Sequence, residues 1–421
     1  MTANPPTQMQ LPNLNALDAN FAVDAVDAIL SLAVDVSASD VHVQPRTGGW
    51  EVLYRIDGVL SVGGFLAGGG SGDPVARLMV LAGLPTYRSG TPMEGRLVWG
   101  AEMQAERFSM RLGVFPTVHG PRGVVRILRL EGLHQKISLL GLKKNQQMTL
   151  TALCEQTSGL VLLSGPAGSG KTTTMYALLR EIAAKRPRRS VMTIEDPVET
   201  VVESISQSEL DPVTGLTLGS ALRSAVRQDS EVLLLSEIRD PETAEAAVQA
   251  SLTGHLIFSS LHSTDVASTL RRLTQLGVPH HLVRSGLRAV INQRLLRKIC
   301  KTCQEGNANA AHMDAEVAGD AQVAANDANA SCRVCAGTGY HGRFAIAEIV
   351  RFDTSDPVGE ALGDTLQAGD SIQTMRAVAR EQGALDLHDI AASYVERGVT
   401  DTAEVYRVLG KREIPPARES Q

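Results

Sequence analysis

The chain contains 421 residues and carries a net charge of −6, from 40 lysines and arginines against 46 aspartates and glutamates. This length predicts about two or three domains, and the acidic balance, with a pI near 6.0, excludes an overall basic surface for nucleic acid. The apolar runs are too short to cross a bilayer. The N-terminal sequence MTANPPTQMQLPNLN has neither the basic nor the apolar region of a secretory signal. We therefore expect a cytosolic protein that begins with a flexible segment, residues 1–20.

Residues 21–130 are predicted to form a small α+β domain. A helical spacing of apolar residues is followed by two alternating stretches around a glycine turn, a second helical stretch and a strand-rich segment. The first helix is predicted at Val23–Leu32 and the second at Ala76–Leu84. The two alternating stretches are Asp40–Gln44 and Trp50–Ile56, with the turn at Thr47–Gly49 between them, and the strand-rich segment is Gly95–Leu130. On the first helix, Val23, Val26, Ile29 and Leu30 are expected to share the buried face.

The sequence GPAGSGKT at Gly165–Thr172 matches the phosphate-loop pattern G-x-x-x-x-G-K-[ST]. An apolar run at 159–163 predicts a strand before it, and helical spacing at 172–185 predicts a helix after it. Phosphates would then lie at a helix N-terminus, with Lys171 on the β- and γ-phosphates of ATP and the Thr172 hydroxyl on Mg²⁺. The residues expected to bind the nucleotide are Gly165, Pro166, Ala167, Gly168, Ser169, Gly170, Lys171, Thr172 and Thr173.

Three further predicted strands end in polar residues. Ser190–Ile194 precedes Glu195, Glu231–Leu235 precedes Ser236 and Glu237, and Leu256–Leu261 precedes His262. Strands alternating with helices predict a parallel α/β sheet, whose ligands bind beyond the carboxyl ends of the strands.

Each of these strand-end residues has an expected role in phosphoryl transfer. Glu237 is expected to hold Mg²⁺, Glu195 to orient or deprotonate the attacking water, and His262 to contact the γ-phosphate or that water. The alternative for each acid is a solvated strand-end side chain, and for His262 a histidine satisfied by a neighbouring loop.

Four of the five cysteines form two C-x-x-C pairs, Cys300 with Cys303 and Cys332 with Cys335, separated by 28 residues. Two such pairs are typical of a closed tetrahedral Zn²⁺ site in a reducing compartment. Reduced, metal-free thiols are the alternative. The intervening residues 306–331 are predicted to be a mobile insertion, and Cys154 a small core residue.

Several stretches resemble secretion ATPases. TIEDPVE at Thr193–Glu199 is similar to their aspartate box, and SSLHSTD at Ser259–Asp265 to their histidine box. Arg227–His255, which contains RQDSEVLLLSEIRDPETAEAAVQASLTGH, is similar to their Walker B region. Further similar stretches are Ser37–Pro45, Arg55–Leu60, Pro92–Arg96, Arg111–Arg129, Gly337–Ile349 and Met375–Val408. From about residue 25 to 410, the chain resembles the type II secretion and type IV pilus assembly ATPases.

The resemblance implies a RecA-like ATPase domain with a metal lobe, and an N-terminal α+β domain of PAS-like fold. The implied boundaries are 21–130 for the N-terminal domain, 131–145 for a linker, 146–410 for the ATPase domain with its lobe at 300–336, and 411–421 for a flexible tail. It also implies that Arg111 and Arg126 approach the nucleotide, whereas the residues alone predict a solvated strand face.

The resemblance further implies a homohexamer in the cytoplasm, bound peripherally at the inner membrane. Its partners would be a polytopic inner-membrane platform protein and a cytoplasmic recruitment protein, with no stable nucleic-acid partner. The function implied is assembly of a pilus or pseudopilus, and the cysteines favour assembly over retraction.

Two departures from the family pattern leave alternatives open. Ser236 stands where the family usually has Gly, and Ser230 where it often has Pro. We also expect only about twenty residues before the first domain, without the extra N-terminal domain of many export ATPases. The alternatives are a retraction ATPase, a nucleic-acid translocase, for which 185–189 is the one basic cluster, and a catalytically silent ATP-binding ring.

Overall fold

The computed structural model forms two compact units, one of residues 1–132 and 299–342, the other of residues 133–298 and 343–421. The structure describes residues 11–70, 72–88, 90–100, 108–129, 136–211, 214–304, 332, 334–335 and 337–412. Six sequence predictions fall wholly or partly outside these ranges. They are the flexible start (1–20), the strand-rich segment (95–130), the linker (131–145), the metal lobe (300–336), its insertion (306–331) and the tail (411–421). Within the described ranges, no helix is long and apolar enough to span a membrane.

The first unit contains a six-stranded antiparallel sheet with the order β3-β2-β1-β6-β5-β4. Its strands are β1 (Asp40–Arg46), β2 (Gly49–Ile56), β3 (Val59–Ala67), β4 (Met93–Leu97), β5 (Phe108–Thr117) and β6 (Gly120–Arg129). The sheet is accompanied by two helices, α1 (Phe21–Asp35) and α2 (Pro74–Leu81). Side chains from both helices and the sheet form one apolar core.

The expectation that Val23 lies on the buried face of α1 is wrong, because Val23 is 36% exposed. The buried stripe instead includes Phe21, Ala25 and Ile29. Each helical residue turns by about 100°, so Val23 lies about 200° around the axis from Phe21, at the edge of the stripe.

The second unit contains a seven-stranded sheet with the order β13-β12-β7-β11-β10-β8-β9. Its strands are β7 (Gly159–Ser164), β8 (Val191–Glu195), β9 (Ser206–Glu209), β10 (Val232–Leu235), β11 (Leu256–Leu261), β12 (Leu287–Ile299) and β13 (Tyr340–Arg351). Its helices are α3 (Lys144–Leu153), α4 (Lys171–Ala184), α5 (Leu218–Ala225), α6 (Pro241–Leu252), α7 (Val266–Gln275), α8 (His280–Gly286), α9 (Pro357–Ala368), α10 (Ile372–Glu381), α11 (Leu387–Val395) and α12 (Thr402–Leu409). A short 3₁₀ turn at Ile137–Leu139 precedes α3.

The strands from β12 to β9 in this sheet run parallel. Strands β7, β10 and β11 are buried along their whole length, and an apolar cluster covers each face of the sheet. Such burial is expected of a parallel sheet with helices on both sides. The four predicted strands are present within one residue of their expected ends, so β7, β8, β10 and β11 finish at one edge.

A buried ion pair fixes α12 to β12. The Glu404 carboxylate is fully buried, and Arg297 Nη2 lies 2.8 Å from its Oε2. Arg407 donates to both carboxylate oxygens at 2.7 Å. Burial alone would raise the pKa of Glu404, but the hydrogen bonds from Arg407 and Arg297 outweigh it and lower that pKa.

Replacing Glu404 by Gln is expected to lower the free energy of unfolding by about 3 kcal/mol, because two guanidinium groups lose their buried counter-charge. The matched control is Glu245→Gln on α6, which removes an exposed carboxylate. The measurement is denaturant unfolding at several pH values. Since folding lowers the pKa of Glu404, its contribution is complete above the ordinary value of 4.5 and is lost as the pH falls through the lowered pKa. A difference between wild type and variant that stays constant into acid would contradict this assignment.

Candidate functional site

Three glycines shape the phosphate loop. Gly165, Gly168 and Gly170 have φ values of 144°, 73° and 87°, which side chains rarely adopt. A Cβ atom on Gly165 would lie 2.5 Å from the carbonyl oxygen of Gln293, and one on Gly170 would lie 2.8 Å from Gln293 Nε2. The loop therefore needs glycine for its turn and for the close approach of β12. It leads into α4 at Lys171, so free N–H groups at the helix N-terminus border the loop.

Two polar residues on β12 lie close to the loop, and sequence reasoning missed both; Gln293 is hydrogen-bonded to the loop itself, and Arg294 to the segment after β11. Gln293 Nε2 donates to the Ser169 carbonyl at 2.8 Å, and its Oε1 accepts from Thr174 Oγ1 at 2.8 Å. The buried Arg294 donates to the carbonyl oxygen of Thr264 at 3.0 Å, and burial lowers its pKa. The available signal was the run of three polar residues Asn292, Gln293 and Arg294 within β12, since such side chains are seldom buried without partners.

Lys171, His262 and Glu237 form a chain of contacts with His262 in the middle, which we call the strand-end group. Lys171 Nζ donates to the carbonyl oxygens of Gly165 at 2.7 Å and Pro166 at 3.1 Å, and lies 3.5 Å from His262 Nδ1. His262 Nε2 lies 3.2 Å from Glu237 Oε1. Burial lowers the pKa of Lys171, while the Glu237 carboxylate opposes that shift.

Glu237 also has a cationic neighbour on its other oxygen. Arg239 donates to Glu237 Oε2 through Nε at 3.1 Å and Nη2 at 3.0 Å. The preceding residue, Ser236, is held through its backbone, because its N–H donates to the carbonyl oxygen of Ile194 and its carbonyl accepts from Ser260 Oγ. Ser236, which stands where the family usually has Gly, is thus hydrogen-bonded through its backbone to both β8 and β11.

Glu195 lies apart from the strand-end group in a network of neutral donors. It is 3% exposed. Tyr176 donates its hydroxyl to Oε2 at 2.5 Å, and Oε1 accepts from Thr193 Oγ1 at 2.5 Å and Gln207 Nε2 at 3.1 Å. Within the described residues, no hydrogen bond or ion pair joins Glu195 to the strand-end group.

The remaining loop residues differ in exposure. Pro166, Ala167, Gly168 and Thr173 are exposed, Ser169 is buried, and Thr172 is half-buried. A hydroxyl on Thr172 and a carboxylate on Glu237 are the oxygen ligands that Mg²⁺ prefers, so the donor chemistry of these two residues fits that ion.

Arg111 and Arg126 occupy paired positions on β5 and β6 of the first unit. Both are exposed, and Arg126 Nε lies 3.2 Å from Asp40 Oδ1. Their approach to a nucleotide stays a prediction.

The four paired cysteines form a cluster in the segment 299–342 of the first unit. Their sulfur atoms lie within 4.8 Å of one another, with Cys300 and Cys332 3.9 Å apart and Cys303 and Cys335 3.4 Å apart. A tetrahedral ion with metal–sulfur bonds of about 2.3 Å requires sulfur–sulfur edges of about 3.8 Å, so the cluster fits a metal. Burial opposes ionisation of Cys332, but hydrogen bonds, first from the Cys335 backbone, lower its pKa to about 7.

A glycine loop held between a buried strand and a helix N-terminus defines the P-loop class of nucleotide-binding proteins. A family model described as "Type II/IV secretion system protein" matches residues 15–407, and the chain belongs to that family. The resemblance inferred from the sequence is thereby confirmed.

Two curated relatives and one solved structure illustrate the relationship. Type IV pilus assembly ATPase PilB of Thermus thermophilus is 32% identical over 403 residues, which are 94% of this chain and 44% of that protein. Type II secretion system protein E of Klebsiella pneumoniae is 33% identical over 399 residues, 91% of this chain and 75% of the relative. The Legionella pneumophila ATPase DotB shares the fold, with a TM-score of 0.69 at 20% identity over 95% of this chain and 98% of DotB. The predicted α/β fold class is confirmed, and the chain spans less than half the length of PilB.

Proposed function

We propose that this chain is one subunit of a homohexameric motor ATPase that couples ATP hydrolysis to assembly of a pilus or pseudopilus. The observation that carries the proposal is the strand-end group, because it places a lysine, an acid and a histidine together beside a phosphate loop. Phosphoryl transfer needs this kind of positioned charge and little covalent help from the protein.

The residues of the site divide the chemistry among them. Lys171 now donates to two loop carbonyls, and it would exchange them for oxygens of the β- and γ-phosphates. In the reaction, water oxygen bonds to the γ-phosphorus, the bond to the bridging oxygen of ADP breaks, and Glu195 accepts a proton from the water. His262 would hydrogen-bond the γ-phosphate or the water. Mg²⁺ held by Thr172 and Glu237 would supply positive charge against the phosphates.

The names of the relatives support the assembly role. They are a pilus assembly ATPase and a type II secretion protein. We propose by analogy that the N-terminal domain (21–130) and the ATPase domain (146–410) move against each other in a ring. The ring would work in the cytoplasm at the inner membrane, on a platform protein and with a recruitment protein.

The alternatives have less support. For a nucleic-acid translocase, the basic cluster 185–189 is poorly available, because Arg188 and Arg189 donate to backbone carbonyls of their own unit. A retraction ATPase is less well supported than an assembly ATPase, because the two relatives named above are assembly and secretion proteins and because the four cysteines favour assembly. For a silent ring, Ser236 remains the one feature in favour.

Lys171→Ala is expected to abolish ATP binding or turnover, because phosphate charge then goes unneutralised. Glu195→Gln is expected to bind Mg²⁺–ATP normally and to lower kcat by about 10²- to 10⁴-fold, since an amide cannot accept the proton. The matched control is Lys185→Ala at the other end of α4, whose ammonium pairs with Glu155. Phosphate release and fluorescent-nucleotide titration measure the two effects. Wild-type turnover by Glu195→Gln would remove Glu195 from the proton transfer.

We propose that the cysteine cluster binds one Zn²⁺ per chain. Cys303→Ala is expected to lose the metal while nucleotide binding survives, because an incomplete thiolate site no longer encloses the ion. Cys154→Ala, which removes a buried thiol outside the cluster, is expected to retain it. Elemental analysis after anaerobic purification decides the matter, and a wild-type content far below one metal per chain would refute the zinc site.

We propose that Arg111 reaches the nucleotide of the adjacent subunit. An arginine supplied in trans can be worth about 10³–10⁵ in rate, so Arg111→Ala and Lys171→Ala should each be nearly inactive. Mixed rings contain interfaces where an intact Lys171 faces an intact Arg111, and we expect those interfaces to restore measurable ATPase after dissociation and reassembly.

Subunit exchange is verified by mass spectrometry of differently tagged chains. Exchanged rings without activity would show that Arg111 does not act in trans. An active ring of Arg111→Ala alone would show that the residue is a solvated strand arginine.

A further inference from the structure

Tyr176 connects the helix after the phosphate loop to the acid at the end of β8. Its hydroxyl donates to Glu195 Oε2 at 2.5 Å. We infer that Tyr176 is a positioning residue for ATP hydrolysis, which fixes the Glu195 carboxylate in the orientation that accepts the proton of the attacking water. This inference rests on the proposed role of Glu195.

The hydrogen bonds divide unequally between the two carboxylate oxygens. Oε1 accepts from Thr193 Oγ1 and Gln207 Nε2, which fills its two lone pairs. Oε2 accepts only from Tyr176 among the described residues, so it keeps one lone pair. Because the Tyr176 hydroxyl occupies one lone pair of Oε2, a water molecule can donate only to the other lone pair, and Tyr176 thereby determines the direction from which that water approaches.

The direction of the Tyr176 hydrogen bond is itself fixed. The hydroxyl oxygen accepts from the backbone N–H of Thr200 at 3.3 Å, so its proton is directed to the carboxylate. Burial, and next the hydrogen bond to Glu195, raise the pKa of Tyr176. The hydroxyl therefore stays protonated and remains a donor at any pH at which the enzyme works.

The position of Tyr176 depends on α4. The ring is 4% exposed, and the side chain lies five residues after Lys171 on the same helix. A buried ring has little freedom to move independently of its helix. The helix that receives the phosphates at its N-terminus thus also carries the group that orients the acid.

Tyr176→Phe is the direct test, because it removes only the hydroxyl. We expect kcat to fall by about 10- to 100-fold, the cost of a misplaced reacting group, with the dissociation constant for Mg²⁺–ATP unchanged. The deciding measurement is a double-mutant cycle with Glu195→Gln. If Tyr176 acts through Glu195, Tyr176→Phe should cause no further loss from the residual rate of Glu195→Gln.

The matched control is Tyr54→Phe, which removes another buried tyrosine hydroxyl, the donor to the carbonyl oxygen of Ile29 at 3.1 Å. It is expected to lower Tm without changing kcat. Equal losses of rate from Tyr176→Phe in both backgrounds, a normal kcat for Tyr176→Phe, or an effect on nucleotide affinity alone would each overturn the inference and leave the role of Glu195 intact. A fully active Glu195→Gln would overturn both.

Discussion

The close approach of β12 to the phosphate loop is the constraint on which the site depends. Main-chain and side-chain atoms of Gln293 occupy the space where Gly165 and Gly170 would carry a Cβ. The same side chain joins the loop at Ser169 to helix α4 at Thr174. Because β12 also pairs in parallel with β7, the strand before the loop, the loop itself and the helix after it share one support. The loop is thus held in shape both by its own glycines, which permit the positive φ angles, and by its contacts with β12.

The two acids lie in different electrostatic surroundings, which supports the different roles that we propose for them. Glu237 faces His262 on one oxygen and Arg239 on the other. A bound Mg²⁺ would replace one or both of these side chains at the carboxylate. Among the residues that the structure describes, Glu195 accepts hydrogen bonds only from the neutral side chains of Tyr176, Thr193 and Gln207. Pairs of titratable groups in contrasting environments are how one site assigns distinct tasks to chemically identical side chains.

The features of the fold and the site that could be predicted from the sequence are those that depend on the spacing of nearby residues. The four strand ends and the loop follow from apolar runs, glycines and a lysine at fixed spacing. Gln293 and Tyr176 could not be found this way, because their roles depend on contacts between distant segments. Thr174 and Gln293 are 119 residues apart. The same limit applies to Arg111. Its position on β5 opposite Arg126 on β6 is known, but the nucleotide that we propose it reaches would be bound to another subunit.

Helix α4 then emerges as the element that joins loading of the loop to the chemistry. Thr174 and Tyr176 are two residues apart, so they point about 200° away from each other around the axis. One contacts β12 and the other contacts the end of β8, strands on opposite sides of β7 in the sheet order. A shift or rotation of α4 would therefore change the hydrogen bond of Thr174 to Gln293 and that of Tyr176 to Glu195 together. A well-packed helix that is held on both sides has little freedom to move one of these contacts without the other.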